Sequence, residues 1–559
     1  MTTRRAFLEL AAAAAALGAT GARALARQAI TQDELLRFDA VGNVTLVHVA
    51  DLHAQLVPVY FREPSVNIGA GALAGAVPHL TGSALLSHYG IAPGSPEAHA
   101  LTADDFTALA RAYGRMGGLD RVATVLAAIR AERPGKVVFL DGGDTWQNSY
   151  TSLVTRGGDM TRVMSLLAPD AMVGHWEFTL GAERVKELAA ALGFPFLGLN
   201  VRDTQWGEPV FPPSVMLERG GVRIAVLGQA YPWTAIANPR HLVPDWSFGI
   251  RENAVRAEVG KARAAGADLV VLLSHNGFDI DRKLAGRVEG IDVVLTAHGH
   301  DALPAVVKAG RTLLVASGSH GKFVSRLDLD VRGGEIRDHR YRLIPVFADA
   351  ITPDPEVAAR IAAERTPHLD HLREVLGHAG TLLYRRGNFN GTLDDVICDA
   401  LLAGHDAEIA LSPGLRWGAS LLPGQAITRE DVYNATALTY PAAWRATMTG
   451  ARLKETLEDV ADNLFNPDPY YQQGGDMVRI GGLALTIDVT APMGRRISDL
   501  RLLRTGAAVT ADRSYAVAGW ASVAEATEGP PVWELVEKHI TAHGEVVPAA
   551  GGHVTVRGG

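Results

Sequence analysis

Five motifs between residues 51 and 300 carry carboxylate and imidazole side chains, and each motif directly follows a short apolar run. Their candidate metal ligands are Asp51, His53, Asp144, His175, His275, His298 and His300. Mixed ligands of these two types suit Mn, Zn or Fe. One ion cannot use seven ligands, whereas two ions that share one carboxylate use them all. The set therefore predicts a two-metal centre that activates water and stabilises charge on the attacking and leaving oxygens.

Each motif is weak evidence when it is taken alone, because a single exposed histidine is more often a surface residue than a ligand. Asp51 and His53 are two residues apart, so an extended backbone would place their side chains side by side. Gly142 and Gly143 permit the sharp turn that brings Asp144 towards the other ligands. The complete set carries the argument, because chance placement would scatter these residues along the chain.

The elements that must position these residues alternate between strand and helix patterns. Short runs rich in Val, Leu and Ile predict buried strands at residues 43–50, 136–140, 224–227, 269–273, 292–295 and 312–315. Helical patterns lie between them, for example at residues 119–130 and 253–265. This order predicts an α/β fold of stacked sheets with covering helices. The candidate ligands then lie at strand ends, where α/β sheets present their binding residues.

Two interruptions of this pattern divide the chain, whose 559 residues exceed one ordinary core. Residues 61–115 are rich in Gly, Pro, Ala and His and predict an insertion that serves as a lid or binding loop. After Pro345 the sequence becomes charged and helical. We predict a catalytic domain at 27–350, an interdomain helix or linker at 351–378 and a substrate-binding domain at 379–559. In that last domain, Asp394, Asp395 and Asp399 are expected to line the solvated face of a helix.

The amino terminus predicts an export signal at residues 1–26. Arg4 and Arg5 precede Phe7-Leu8 and an alanine-rich apolar stretch that ends in Ala24-Leu25-Ala26. The adjacent arginines favour the twin-arginine route, so the predicted location is the periplasm. The apolar run is well short of the ~20 residues that span a bilayer, so no membrane anchor is expected.

Charge and cysteine content exclude several classes of function. The chain carries 53 Lys and Arg against 61 Asp and Glu, a formal net charge of −8. Removal of residues 1–26 takes away three arginines and one glutamate, so the remaining charge is −8 − 2 = −10. Because the chain has no basic run, we do not expect it to bind nucleic acid. Cys398 is the only cysteine, so it cannot form an internal disulfide, and we expect it to be a small buried hydrophobe.

The five motifs in this order resemble the dinuclear metallophosphatase superfamily, and in particular the 5′-nucleotidase group with its separate carboxy-terminal domain. The resemblance implies a four-layer αββα catalytic domain, followed by a smaller α/β domain of the 5′-nucleotidase type. It also implies how the ligands divide between two ions. Asp51, His53 and His300 would hold one ion, His175, His275 and His298 would hold the other, and Asp144 would bridge them.

One motif departs from the nucleotidase pattern in a way that points to a narrower resemblance. Where nucleotidases have Asn-His, this chain has His175-Trp176, and an indole cannot transfer a proton as that histidine does. This motif and four longer segments are similar to the SoxB-type thiosulfohydrolases of bacterial sulfur oxidation. The segments are 51–64, 384–391, 411–418 and 466–477. Leu52, where that family is expected to have Cys, is a further departure outside the ligand set.

The SoxB resemblance implies a periplasmic enzyme that uses two Mn²⁺ ions, and the expected state is a monomer. Its substrate would be a cysteine S-thiosulfonate or S-sulfonate on the SoxY subunit of the SoxYZ carrier. Attack of a metal-bound hydroxide would release sulfate. The thiolate or persulfide leaving group needs no general acid, so the change to Trp176 would matter little. Zn and Fe stay open as alternatives to Mn, because the same ligands hold them.

Candidate catalytic and substrate-binding residues lie in both domains. Asp144 and His175 are the catalytic candidates of the metal centre, together with Arg416, whose fork of donors suits a bidentate grip on an oxyanion. Arg416, Trp176, Tyr471 and Gln473 are the substrate-binding candidates, the last two in a loop rich in Pro and Gly. A surface position for Arg416 and interdomain packing of the loop aromatics are the alternative interpretations.

Two other functions stay open at this point. The broader resemblance is also compatible with a periplasmic 5′-nucleotidase or phosphoesterase that acts on nucleotides. The same fold can also serve as a non-catalytic metal-binding protein, although the presence of all seven candidate ligands argues against such a loss of activity.

Overall fold

The structure is a computed structural model that describes residues 30–524, 527–548 and 553–558. The predicted export signal at residues 1–26 lies outside the described residues. Within them, every helix is too short or too polar to cross a membrane.

Two sheets form the centre of the amino-terminal region. The first has its strands in the order Glu335–Pro345, Phe323–Arg332, Val44–Val49, Val137–Asp141 and Ala171–Met172. The second has the order Val307–Ala309, Thr312–Ala316, Val293–Thr296, Leu269–Ser274, Val222–Gln229 and Ser214–Arg219. The central strands pair in parallel, so their carboxyl ends meet at one edge of each sheet.

The two sheets stack face to face because apolar side chains point alternately to the two sides of each strand. Leu46 and Val138 of the first sheet pack with Val226 and Val271 of the second in one buried core. Val47 points to the opposite face of the first sheet, where it packs under helices. The layers are therefore helix, sheet, sheet and helix, which confirms the predicted αββα architecture.

Helices cover both outer faces and connect the strands. In the amino-terminal region they span Gln32–Leu36, Gly82–Tyr89, Pro96–Leu101, Phe106–Tyr113, Leu119–Glu132, Tyr150–Thr155, Gly158–Leu167, Ala182–Ala191, Thr234–Ala237, Glu252–Ala264 and Phe278–Arg287. Short 3-10 helices span Gly71–Leu73, Trp176–Leu180 and Arg240–Leu242. A two-stranded sheet joins Arg202–Asp203 to Trp246–Ser247.

The carboxy-terminal region follows the helical segments Pro355–Arg365, Thr366–His368 and Leu369–Leu372. Its described residues form three small sheets. The strand order in the first is Ala426–Thr428, Val375–Ala379 and Glu545–Val546, and in the second it is Ala443–Thr449, Ser514–Trp520, Ile409–Ser412 and Arg479–Gly481. The strand order in the third is Ile497–Leu502, Leu483–Asp488 and Val554–Arg557. Helices Thr392–His405, Arg429–Thr436, Gly450–Leu464 and Val532–His543 and the 3-10 helix Pro469–Tyr471 complete the region.

The helix Thr392–His405 differs from the expectation of a solvated acidic face. Asp394 is fully buried, and its carboxylate accepts a hydrogen bond from Arg385 Nε at 2.7 Å. Asp395 is also buried and lies 3.2 Å from His553 Nε2. The prediction was wrong for these two residues, because arginine and histidine from distant segments pair with carboxylates that local sequence shows as polar. Cys398 on the same helix is buried, as predicted.

The insertion at residues 61–115 contains helices and joins the two regions. Phe106 and Ala110 pack against Leu422 of the carboxy-terminal region. Beside the insertion, Val59 packs with Ala419 in a second small apolar cluster. The two regions therefore meet through apolar contacts on one side of the strand ends.

Candidate metal centre

The seven predicted ligands form one buried cluster at the strand ends. Their ligand atoms fall into two groups, and within each group all the atoms lie within 4.8 Å of one another. One group is Asp51, His53, Asp144 and His300, and the other is Asp144, His175, His275 and His298. The cluster can therefore hold two metal ions that share Asp144, while the role of each single residue as a ligand stays a prediction.

The carboxylate of Asp144 lies at the centre of the cluster. Its Oδ2 atom is 3.2 Å from His275 Nε2, 3.3 Å from His175 Nδ1 and 4.0 Å from His53 Nε2. Its Oδ1 atom accepts a hydrogen bond from the main-chain N–H of Trp176 at 2.8 Å. One carboxylate thus faces histidines of both groups, which is the placement that a bridging ligand requires.

Hydrogen bonds from outside the cluster orient two of its rings. His275 Nδ1 lies 2.6 Å from the main-chain carbonyl oxygen of Gly142, so this nitrogen donates and Nε2 is left for the cluster. His53 Nδ1 lies 2.9 Å from Asn148 Oδ1, which fixes that ring in the same way. Histidines that bind metals are held by such partners at their second nitrogen.

Several ring nitrogens of the cluster are buried without a hydrogen-bond partner among the described residues. They are Nε2 of His175, His275 and His298 and Nδ1 of His300. Of these, His275 Nε2 lies against the Asp144 carboxylate and fits a metal ion, whereas His175 faces that carboxylate through Nδ1 and His300 faces Asp51 through Nε2. His275 Nε2 is close to Asp144, but the angle between the groups does not suit a hydrogen bond. A buried polar atom left unpaired costs about 1–3 kcal/mol, and coordination of an ion removes that cost.

The ligand residues adopt strained backbone conformations. The φ angle is +53° at Asp51, +48° at His53, +55° at Asp144, +75° at His298 and +59° at His300. A non-glycine residue in such a conformation costs about 1–3 kcal/mol, and such residues concentrate at functional sites. The backbone from Asp51 to His53 is therefore not extended, and left-handed turns orient these side chains.

The two glycines before Asp144 are required by close packing. At Gly143 the φ angle is +87°, and a Cβ atom would lie 2.7 Å from the carbonyl oxygen of Val173. At Gly142 a Cβ atom would lie 2.8 Å from the Ala50 Cβ. The predicted sharp turn is confirmed, and any larger residue at either position would displace the strand ends that carry the cluster.

Burial and mutual charge set the protonation of the cluster. Burial, together with neighbouring positive groups, lowers the pKa of His298 and His300 well below the usual range, so both rings are neutral as metal ligands must be. Burial opposes charge on Asp144 as well, but His175 and His275 hold the pKa of that carboxyl well below its usual range. Burial lowers the pKa of His275, but the Asp144 and Asp51 carboxylates and the Gly142 carbonyl together raise it more, to about 10. A divalent ion at His275 therefore replaces a proton.

Trp176 lies between the metal cluster and the core of the carboxy-terminal region. Only 8% of its surface is exposed, and it packs within the apolar cluster of that region. Its ring meets Trp417 edge to face with centroids 5.0 Å apart, and it lies 5.1 Å from the ring of His175. Trp176 thus connects the two regions through its side chain and holds Asp144 through its main chain.

Arg416 reaches the cluster from the carboxy-terminal region. Its Nη1 donates to the carbonyl oxygen of His298 at 2.9 Å, and its Nη2 donates to that of Gly475 at 2.6 Å. The buried Nε has no hydrogen-bond partner among the described residues and lies 3.5 Å from Asp476 Oδ1. The side chain is 15% exposed, which excludes the alternative of a free surface arginine.

The loop residues Tyr471 and Gln473 are placed less directly on the site. Tyr471 is 61% exposed, and the main-chain carbonyl of Gln473 accepts a hydrogen bond from the Tyr231 hydroxyl. Tyr470 donates to Glu252 at 2.9 Å and so packs between the regions, as the alternative interpretation expected. Neither Tyr471 nor Gln473 lines the cavity beside His298, although their neighbour Gln472 does.

The sequence argument did not include three aromatic neighbours of the cluster among the site residues. Tyr231 stacks on His298 with ring centroids 4.3 Å apart, and Trp417 lies 5.5 Å from the ring of His53. His320 lies 5.3 Å from the same ring and donates its main-chain N–H to Asp51. Tyr231 and His320 both follow apolar strands, as the ligands do, and that position was the available signal.

Comparisons with known proteins agree with this fold. The family model of the 5′-nucleotidase carboxy-terminal domain matches residues 375–534. The mouse 5′-nucleotidase (Mus musculus) is 26% identical over 451 residues, which cover 72% of this chain and 75% of that protein. The solved 5′-nucleotidase precursor from Thermus thermophilus shares the fold, with a TM-score of 0.73, 22% identity, and coverage of 92% of this chain and 99% of that chain.

A more similar solved structure is the sulfate thiohydrolase SoxB of Thermus thermophilus in complex with glycerol. It is 38% identical, covers 93% of this chain and 98% of its own, and superposes with a TM-score of 0.90. The shared fold and the His/Asp cluster, which can hold two ions, make the protein a hydrolase of the 5′-nucleotidase and metallophosphatase superfamily. Within that superfamily, the 38% sequence identity to SoxB extends over almost the full length of both chains and identifies the family. The chain belongs to the SoxB family.

Proposed function

We propose that the protein is a thiosulfohydrolase that releases sulfate from a cysteine S-thiosulfonate or S-sulfonate on the SoxY subunit of SoxYZ. The observation that carries this proposal is the position of Trp176 against the cluster, on a chain 38% identical to a sulfate thiohydrolase. An indole at this position gives no proton-transfer group, so it favours a substrate whose leaving group departs without one.

The proposed metal sites follow the two groups of the cluster. Asp51, His53 and His300 would hold one Mn²⁺ ion, His175, His275 and His298 would hold the other, and Asp144 would be shared by both. When bound, two such ions lower the pKa of water and stabilise negative charge on the reacting oxygens. Two divalent ions carry more positive charge than the two carboxylates neutralise, so the centre attracts an anion.

The residues of the chain then position the substrate. The Arg416 guanidinium, held by two carbonyl oxygens, supplies its remaining N–H groups to a sulfonate oxygen. The oxygen of water bonds to the sulfonyl sulfur, and the bond from that sulfur to the carrier sulfur breaks. The electron pair of that bond goes to the carrier persulfide or thiolate, and the protons of water go to solvent. Both leaving groups are stable anions, so no acidic side chain is required.

Export and domain division complete the proposal. The signal at residues 1–26 directs the protein to the periplasm by the twin-arginine route, and residues 27–350 form the catalytic domain. Residues 351–378 connect it to the substrate-binding domain at 379–559. Replacement of Arg4 and Arg5 by Lys should leave unprocessed precursor in the cytoplasm, as detected by fractionation and immunoblotting. Normal periplasmic accumulation of that variant would contradict the proposed route.

The second candidate function is a 5′-nucleotidase, which the similarity to the mouse enzyme favours. Purified protein reconstituted with Mn²⁺ should release sulfate from a carrier cysteine S-thiosulfonate and hydrolyse AMP poorly. Parallel reconstitution with Zn²⁺ and Fe²⁺ identifies the metal that supports turnover. Rapid cleavage of AMP with no action on the carrier conjugate would replace the thiosulfohydrolase proposal by the nucleotidase.

A further inference from the structure

One loop of the insertion crosses the junction of the two regions next to the metal cluster. Residues 66–79, here called the strap, form a loop whose two ends lie close together, because the Thr81 hydroxyl donates a hydrogen bond to the carbonyl oxygen of Ser65 at 3.1 Å. A compact loop with joined ends is held by its own contacts and is typical of functional surface loops. The strap therefore has a defined place over the site.

The first half of the strap is attached to the carboxy-terminal region. The main-chain N–H of Ile68 donates to Asn388 Oδ1 at 2.6 Å, and the N–H of Asn388 donates to the carbonyl oxygen of Val66 at 3.2 Å. The Ile68 side chain packs against the apolar core of that region. This end of the strap is thus fixed by backbone pairing and by apolar contact.

The second half is attached to the amino-terminal region by an ion pair. His79 Nε2 lies 3.0 Å from Asp279 Oδ2, with only 13% and 11% of the two side chains exposed. His79 Nδ1 faces Asn67 Oδ1 at 3.3 Å, and the Asn67 amide group donates to Pro78, which fixes the orientation of that amide. Both ring nitrogens face oxygen acceptors, which favours the doubly protonated imidazolium form. The pKa of His79 is raised, since the contact with Asp279 outweighs burial.

The strap and the metal site line one cavity, which is partly open to solvent. Asn67, Ile68 and His79 line it on one side, and His298 and Arg416 line it on the other. Its volume is about 90 Å³. Sites for drug-sized ligands measure about 300–1,000 Å³, so this space suits a few heavy atoms and is too small for a nucleoside.

We propose that the strap is the specificity element of the site: it closes the cleft beside His298 so that only a slender anionic group reaches the metal centre. The substrate class is a tetrahedral oxyanion at the tip of an extended chain, such as a sulfonate on a peptide arm. This inference rests on the proposed function for its substrate, and it assigns the selection against nucleotides to the ion pair of His79 with Asp279.

Binding of two organic sulfates to the dimanganese protein tests the proposal without turnover. Methyl sulfate and adenosine 5′-sulfate carry the same head group and differ in size. By calorimetry, the wild-type protein should bind methyl sulfate and bind adenosine 5′-sulfate far more weakly. His79→Ala should lower the Kd of adenosine 5′-sulfate by about fivefold, the change expected when one partly buried ion pair no longer favours the closed state, and should change the Kd of methyl sulfate by less than about twofold.

Asp279→Asn provides a second variant, because it removes the charge while keeping the shape and leaving His79 in place. His88→Ala is the matched control, since His88 is an exposed residue of the same insertion outside the strap. Metal content and circular dichroism establish that each variant is folded. Equal affinity of the wild-type protein for both sulfates, or continued exclusion of adenosine 5′-sulfate by both folded variants, would overturn the proposal. Absence of sulfate release from the carrier would instead contradict the proposed function and leave this binding result unaffected.

Discussion

The strand ends of the amino-terminal region and the loops of the carboxy-terminal region contribute to the site in different ways. The strand ends supply side-chain atoms: Asp51, Asp144 and His275 are 0–2% exposed, and their polar atoms face one another. The loops contact the site largely through hydrogen bonds to main-chain carbonyl oxygens. The Arg416 side chain donates to two such oxygens, and the carbonyl oxygen of Gln473 accepts a hydrogen bond from Tyr231. Residue type therefore identifies the first set well and the second set poorly.

This difference predicts that the loss of metal and of activity is greatest when a side chain that contacts both ligand groups is removed. Asp144→Ala should lose both ions and all measurable sulfate release, because its carboxylate faces histidines of each group. Elemental analysis and a sulfate assay measure the two effects. Asp512→Ala, at an exposed position, is the control and should keep both ions. A variant of Asp144 that retains one ion at full occupancy would show that this carboxylate does not bridge.

Trp176, which joins the two regions, should contribute more to the free energy of unfolding than to metal binding. Trp176→Ala should lower the free energy of unfolding by about 3–5 kcal/mol, because it removes a large buried ring from the carboxy-terminal core. Thermal and chemical denaturation of the metal-loaded protein measure this loss. Trp206→Ala removes an equal ring that is 76% exposed and should change stability by less than about 0.5 kcal/mol. Equal effects of the two substitutions would mean that Trp176 does not hold the regions together.

Arg416 tests whether a loop residue acts on substrate as well as on the protein. Arg416→Ala should reduce kcat/KM for sulfate release by about 10²-fold, the usual effect of removing one oxyanion donor, with both ions retained. Arg452→Ala, on an exposed helix position, should leave kcat/KM unchanged. If the Arg416 variant loses metal, the residue supports His298 and not the substrate.

The smallest effect is expected at the exposed end of the loop. Tyr471→Ala should raise KM for the carrier conjugate a few-fold with kcat unchanged, and should change stability by less than about 0.5 kcal/mol. Tyr470→Phe should show the opposite pattern, with a loss of about 1 kcal/mol because its hydrogen bond to Glu252 disappears. An unchanged KM in the Tyr471 variant would remove this residue from the carrier-binding surface.

Local sequence was sufficient for the layers and for the set of candidate ligands. The mostly apolar run along strands such as Val44–Val49 predicts two buried faces, and carboxylates and imidazoles directly after such runs predict a cluster. Gly142 and Gly143 predict the turn at Asp144. These features depend on residue type and on spacing within a few positions, and both can be read directly from the sequence.

Tertiary structure alone decided the features that depend on contacts between distant segments. Asp51, His53 and Asp144 take left-handed conformations that no local signal for a non-glycine residue predicts. The buried carboxylate of Asp394 also pairs with Arg479 Nε of a later strand at 3.4 Å, and the strap is attached through Asp279, which lies 200 residues from His79 in the chain. Polar residues look solvated in sequence because a paired charge and a hydrated charge have the same residue type. Only the packing of the folded chain removes water from the paired charge and leaves water around the hydrated charge.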